Sequence, residues 1–413
     1  MNTAKIRDLP IKIIDGDRSS RYPKRDEFQN EGILFLNTTN IVDNHLDLSS
    51  ANYISVEKFT QLGKGKLQRF DIVMTTRGSI GKVALFNHPA HQTGFINAQM
   101  LIFRPDATVI DPYFLYYLFC GSDFQGLLKN FASGSAQPQL PIVDLKEIEI
   151  PCPPLPTQRK IAAILSAYDD LIENNTRRIR ILEAMAQAIY REWFVNFRYP
   201  GHEGVRLVES PLGPIPEGWE VKKLGDLVGC IRKSTEPGPH LEELRYIPID
   251  LIPRKSLSII ESLPGDQAKS SLLMFDENDV LFGAMRPYFH KVSIAPFNGV
   301  TRSTCFVLRP IEPCYLAYSL MTLFQTSTIE FATNHSQGGT IPYVVWDNSM
   351  SEMPVINPPI SVINPFEQIL HPIIWTFKRH YFRQNNLRQQ RDMLLPRLIS
   401  GELNVEALEI PTL

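Results

Sequence analysis

Residues 157–197 read TQRKIAAILSAYDDLIENNTRRIRILEAMAQAIYREWFVNF, and the patterning of that stretch decides the fold. Steps of four and three residues pick out Ile161, Leu165, Tyr168, Ile172, Asn175, Ile179, Leu182, Ala186, Ile189 and Trp193, an apolar stripe interrupted by one amide. Such spacing keeps one face of an α-helix apolar along its whole length, as in the seam of a coiled coil. Adding 205 to each number gives Phe366, Leu370, Ile373, Phe377, His380, Gln384, Leu387, Arg391, Leu394 and Leu398, so the seam occurs twice in one register. About 40 residues at 1.5 Å each make a helix roughly 60 Å long, which implies a spacer or scaffold.

Outward from the helices the same offset persists. Arg104-Pro105 falls on Arg309-Pro310, Phe119 on Phe324, Gly134 on Gly339 and Pro153-Pro154 on Pro358-Pro359. Further upstream the offset slips, so that Phe70-Asp71-Ile72-Val73 meets Asn278-Asp279-Val280-Leu281 and Arg77 meets Arg286. The plan is a pseudo-twofold internal repeat: globular unit, helix, different globular unit, equivalent helix. Short β-type runs such as residues 32–36 and 71–75, with helices expected at 112–120 and 122–131, make the class α+β. Two α/β units are separated by an antiparallel coiled coil, in which Asn175 faces Gln384 and Ile179 faces His380.

Proline marks the joints. Pro151, Pro153, Pro154 and Pro156 read as a stiff, non-helical connector that delivers Thr157 as a helix cap. Asn364-Pro365-Phe366-Glu367 supplies a cap, a first-turn proline and a carboxylate, which starts the second helix at 364. Pro372 and Pro396 then predict a kink or late start and a frayed finish. Residues 199–218, rich in Pro and Gly, read as an extended linker.

Composition sets outer limits. At 413 residues and 43% hydrophobic content, the chain is long enough for two or three soluble domains. No apolar run approaches the roughly 20 residues of a membrane span, so a cytoplasmic protein with no membrane partner is expected. Five scattered cysteines read as reduced, packed thiols and not as a zinc site. A net charge of −2 places any nucleic-acid contact on a local basic face.

Several motifs with a chemical look lack their context. Asn357-Pro358-Pro359-Ile360 has no aromatic ring to stack on a flipped base and no glycine-rich turn beside it for S-adenosylmethionine, so it reads as a connector. Gly63-Lys64-Gly65-Lys66 misses the spacing of a phosphate-binding loop. His88 and His91 lack a second ligand pair. Asp169-Asp170 reads as a solvated helix face. With no cofactor loop and no metal-carboxylate cluster, the chain reads as a non-enzyme.

Polar, turn-rich segments are the contact candidates. Arg77-Gly78-Ser79-Ile80-Gly81-Lys82 follows a strand and offers Arg77, Ser79 and Lys82 with two glycines that permit close backbone approach. Its counterpart offers Arg286, Tyr288, His290 and Lys291. Ser133, Ser135 and Gln137 form one further cluster, and Gln337 with Thr340 the other; either glutamine has the groups to read adenine in the major groove.

Over essentially its full length the chain resembles the DNA-specificity subunit of type I restriction-modification systems. The matching features are Leu155-Pro156-Thr157-Gln158, the long helix after it, Gly213-Pro214-Ile215-Pro216-Glu217-Gly218-Trp219 and Leu398-Ile399-Ser400-Gly401-Glu402-Leu403. The resemblance implies a first target-recognition domain at 1–155, a central helix at 156–198, a linker and second recognition domain at 199–361, and a C-terminal helix at 362–413. It also implies that each domain reads one half of a split site in double-stranded DNA and that the helix pair sets the gap. Two modification subunits and the ATP-dependent restriction subunits would dock on the scaffold. No cofactor would be bound by this chain; S-adenosylmethionine, ATP and Mg would belong to the partners. Dissimilar readers suit an asymmetric site, because identical ones would demand a palindrome. The rival readings are a fused methyltransferase or nuclease and a protein-binding scaffold.

Overall fold

The computed structural model describes residues 2–131 and 139–410. By density of internal contacts the chain forms two compact units, residues 1–170 with 389–413 and residues 171–388. Each long helix is therefore shared between units.

Unit 1 holds two four-stranded sheets. One has the order Asn52–Ile54, Ile33–Leu36, Thr93–Ile96, Lys66–Gln68, and the other Ile11–Asp15, Met100–Pro105, Asp71–Thr75, Val83–Phe86. Unit 2 follows the same plan: Val228–Ile231, Cys305–Pro310, Val280–Gly283 and Val292–Ile294 form one sheet, and a five-stranded sheet is centred on Gly299–Arg302. In each unit the other sheet contains one parallel pairing, Ile33–Leu36 with Thr93–Ile96 and Arg245–Ile247 with Gly299–Arg302. Two helices follow the last long strand, Pro112–Cys120 and Ser122–Phe131 in unit 1, Leu316–Leu323 and Thr326–Asn334 in unit 2. A terminal strand pair closes each globular part, Thr3–Lys5 with Glu149–Pro151 and Glu220–Lys223 with Pro354–Asn357.

The shared frame has a shared pin. Arg104 clasps Asp71 through Nε and Nη2, both at 2.7 Å, and Arg309 clasps Asp279 at 2.6 and 2.8 Å. Both aspartates are buried and also accept a backbone N–H at 2.7 Å, from Gln68 and Asp276 respectively. A buried carboxylate with three hydrogen bonds, two of them from a guanidinium, is a stable feature, whereas an unpaired one would be costly.

The long helices are Leu155–Phe194 and Ile360–Ile399, 40 residues each. Both begin earlier than the prolines suggested. Pro156 lies in the first turn, where a helix needs no N–H from it, and Pro358–Pro359 precede the second helix, with Val362 N–H bonding Pro359 O at 2.9 Å. Pro365 is thus inside the helix, and Glu367 does not cap it. The Glu367 carboxylate instead accepts the N–H groups of Ala317 and Tyr318, both at 3.0 Å, at the start of Leu316–Leu323. The second helix continues through Pro372 and Pro396 to Ile399, in place of the expected late start.

Within each unit the two helices run antiparallel. In unit 1, Asp169 meets Arg391 at 2.6 Å and Lys160 Nζ donates to Glu406 O at 2.6 Å. In unit 2, Gln384 Nε2 donates to Ile172 O and Thr176 Oγ1, both at 2.9 Å, and Trp193 packs on Phe366 at 5.6 Å. Gln384 is in the seam, but its partners are those two groups and His380 Nε2 at 3.4 Å, not the expected Asn175, whose Nδ2 is buried without one. The Asp169 side chain is also not solvated: Tyr117 donates to it at 2.7 Å opposite Arg391. Ile161 and Leu165 enter the core of unit 1 with Leu395 and Leu398, while Ala186 and Trp193 enter that of unit 2 with Phe366, Leu370 and Phe377. The segment 199–218 is folded and not an extended linker, with Tyr199 against Trp219 at 5.2 Å and a hairpin of Leu207–Val208 and Ile215–Pro216. Among the described residues no helix is long and apolar enough to cross a membrane.

Candidate nucleic-acid interface

In unit 1 the strand Asp71–Thr75 ends in a loop whose turns are set by Gly78 and Gly81, at φ +73° and +84°. The loop is tied back by Thr75 N–H to Lys82 O at 2.9 Å, and Thr75 Oγ1 donates to Ser79 O. Arg77 is half-buried and its backbone bridges to Gln139, while Ser79 is exposed. Lys82 Nζ reaches Ile41 O at 3.3 Å. Ser133, Ser135 and Gln137 lie outside the described residues.

Unit 2 places a matching loop after Val280–Gly283. Gly283 N–H bonds Lys291 O at 2.8 Å, and Met285 bridges to Tyr343 as Arg77 does to Gln139. This register corrects the alignment by residue type. Arg77 matches Met285, Gly78 matches Arg286, and the second loop is one residue longer. Arg286 and His290 both adopt the left-handed conformation, at φ +50° and +52°, where unit 1 uses glycine.

His290 and Lys291 hold the loop in place. The buried imidazole bonds Phe324 O at 2.9 Å, and burial lowers its pKa. Lys291 Nζ donates to Ile249 O at 2.6 Å, and burial lowers its pKa also. Ile249 opens the turn Ile249–Leu251 and Ile41 closes the matching turn Thr38–Asn40, so Lys82 and Lys291 both tie their loop to that turn, at different positions of it. Between these pins, Arg254 lies over the Phe289 ring at 3.9 Å and Tyr288 is 48% exposed. Arg286 N–H bonds Pro342 O at 2.7 Å, which brings the loop against the turn from Gln337 to Tyr343. Gln337 pairs with Tyr343 in both backbone directions and, like Thr340, is exposed. The structure therefore brings Arg286, Tyr288, Gln337 and Thr340 onto adjoining loops, and in unit 1 joins Arg77 to Gln139. Gln139, Met285 and Tyr343 were missed by residue type; their signal is pairing between segments far apart in sequence.

Residues 5–184 match the family model described as the type I restriction modification DNA specificity domain. The type I restriction enzyme MjaIX specificity subunit of Methanocaldococcus jannaschii is 30% identical over 351 residues, spanning 82% of this chain and 78% of the relative. The HindI specificity subunit of Haemophilus influenzae is 21% identical over 467 residues, spanning 94% and 98%. In fold, the crystal structure of the type I restriction-modification S subunit from M. genitalium aligns over 96% of both chains with a TM-score of 0.59 at 15% identity. The repeated sheet-and-helix frame, its differing loops and the near full-length relatives lead to one assignment: this chain belongs to the specificity subunits of type I restriction enzymes, the non-catalytic members of those systems.

Proposed function

We propose that the two globular parts, products of an internal duplication, each read one half of a bipartite, asymmetric DNA sequence. The loops of residues 77–82 and 286–291, with the turn at 337–343, form the reading edges, and Arg77, Ser79, Arg286, Tyr288, Gln337 and Thr340 are the groups free to meet DNA. The long helices act together as a coiled-coil ruler that sets the spacer and as the platform for two modification subunits and the restriction subunits. Methyl transfer and cleavage, with S-adenosylmethionine, ATP and Mg, belong to those partners.

The observation that carries this reading is one frame with two different edges. Asp71–Arg104 and Asp279–Arg309 fix matching strands, while the loops that leave those strands differ in length, charge and aromatic content. Duplication with a kept frame and divergent loops suits two unlike half-sites. Mapping methylated adenines in the host with and without this gene tests it: a two-part motif should vanish with the gene. Inserting one helical turn into both long helices should widen the gap by about one to two base pairs, given roughly 5.4 Å per turn and 3.4 Å per base step. An unchanged gap sinks the ruler.

A further inference from the structure

Each unit contains a cavity at the same place in its frame. In unit 2 it measures about 530 Å³ and is lined by Ala284, Met285, Phe306, Tyr343, Val344 and Trp346. In unit 1 it measures about 240 Å³ and is lined by Thr76, Arg77, Leu101, Gln139, Leu140 and Ile142. The six positions correspond one to one. Leu140 N–H bonds Thr76 O as Val344 N–H bonds Ala284 O, both at 3.0 Å. Leu101 pairs with Met74 as Phe306 pairs with Phe282. Arg77 bridges Gln139 as Met285 bridges Tyr343.

What differs is chemistry. The unit 1 cavity presents the Arg77 guanidinium and the Gln139 carboxamide, a donor set that reads purine edges in the major groove, beside the Arg18–Asp15 ion pair and a Thr76 hydroxyl that donates to Gln99 O. The unit 2 cavity presents a thioether, a phenol ring and an indole, together with the Arg232–Asp347 ion pair, and Thr304 Oγ1 is a buried hydroxyl there that has no partner. Tyr343 in its lining is 46% exposed, and Tyr288 and Ile341 on the adjoining loops are 48% and 49% exposed. With the Arg232 charge held by Asp347, the apolar wall of Met285, Phe306, Tyr343 and Trp346 beside one unpaired hydroxyl suits thymine, whose methyl group needs that wall and whose O4 accepts a hydrogen bond.

Building on the DNA-reading role proposed above, we infer that these paired cavities are the base-selecting pockets. Arg77 and Gln139 hydrogen-bond a purine edge in one half-site. Met285 and Tyr343, with Thr304, take a thymine in the other.

The test uses the full chain assembled with its modification subunits, and maps methylated adenines across a genome for the parent, R77M/Q139Y, M285R/Y343Q and the shape-preserving T304V. R77M/Q139Y should lower methylation of the parental sites about tenfold or more and relax one base in one half of the motif only. M285R/Y343Q should do so in the other half, and T304V should relax the same thymine while keeping assembly intact. Parental motifs methylated at parental rates by R77M/Q139Y and T304V overturn the pocket assignment. A parent that gives no two-part motif overturns the DNA-reading role itself, and the pockets with it.

Discussion

At one pair of equivalent positions the helix seam holds an ion pair in one unit and hydrocarbon in the other. In unit 1, Arg391 meets Asp169 at 2.6 Å while Tyr117 donates to the other carboxylate oxygen at 2.7 Å. The positions 205 residues away in unit 2 are Ala186 and Ile374, 1% and 3% exposed. A pair of helices thus tolerates ions in its seam when each charged atom has a partner, and otherwise prefers to be dry. The pairing also offers a way to make the two halves of a duplicated chain unlike, and so to set which segment meets which.

The largest test of that contrast is R391M. It leaves Asp169 buried with one neutral donor, and should destabilise unit 1 by about 3–5 kcal/mol, read from the urea midpoint. D169I/R391A, which writes the residues of unit 2 into unit 1, should recover most of the loss. If R391M stays within about 1 kcal/mol of the parent, the charge pair is not what closes that seam.

A second contrast lies where the long helices hold the short ones. Unit 1 uses a neutral amide: buried Gln158 accepts Asp111 N–H at 2.9 Å and donates to Val109 O at 3.1 Å and Pro153 O at 2.8 Å. Gln158→Ala strands those groups and should cost about 2–3 kcal/mol in unit 1. Unit 2 uses an acid, and there the effect should depend on pH.

Burial pushes the Glu367 carboxyl up to about 7, against the N–H groups of Ala317 and Tyr318 that favour its charge. The folded form then keeps a proton that the unfolded chain has lost, so stability falls as pH rises from about 4.5 to about 7. His380 acts oppositely. Burial, followed by the positive charges of Arg388 and Arg383, pushes its imidazole down to about 4, so stability rises as pH climbs from about 4 to about 6.5. The two slopes oppose each other in the parent. E367Q should uncover the rising slope and H380Q the falling one in thermal melts across that range. Parent-like profiles in both variants would remove either group from the account.

The sequence showed the seam because an apolar period survives inspection without neighbours, and it showed Asp71, Asp279, Arg104 and Arg309 as matched because their flanks repeat. It misplaced the helix starts because Pro156 was read as part of a non-helical connector and Pro365 as a first-turn proline. The first occupies a turn where no N–H is needed, and the helix carries the second despite one lost bond. Asp169 looked solvated because its donors, Tyr117 and Arg391, stand 52 and 222 residues away. The candidate site was harder still. Arginine was matched to arginine, whereas hydrogen-bond register places Arg286 on Gly78, and cavity walls assembled from separate strands leave no local pattern to read.

That correction carries the smallest and sharpest test. An added Cβ at Gly78 would meet nothing within 4 Å, so unit 1 uses glycine there for its φ of +73° and not for space. Arg286 adopts the same backbone region at φ +50° and ψ +59°, with Nε buried and unpartnered. A side chain in that region costs about 1–2 kcal/mol, and an unpaired buried N–H adds to it. Strain of this kind persists where the side chain is needed for something other than folding. R286G should therefore raise the stability of unit 2 by up to about 1 kcal/mol while weakening DNA binding by the assembled complex. A less stable R286G would instead make Arg286 a structural brace and withdraw it from the reading edge, leaving Tyr288 and the turn at 337–343 as the contacts to pursue.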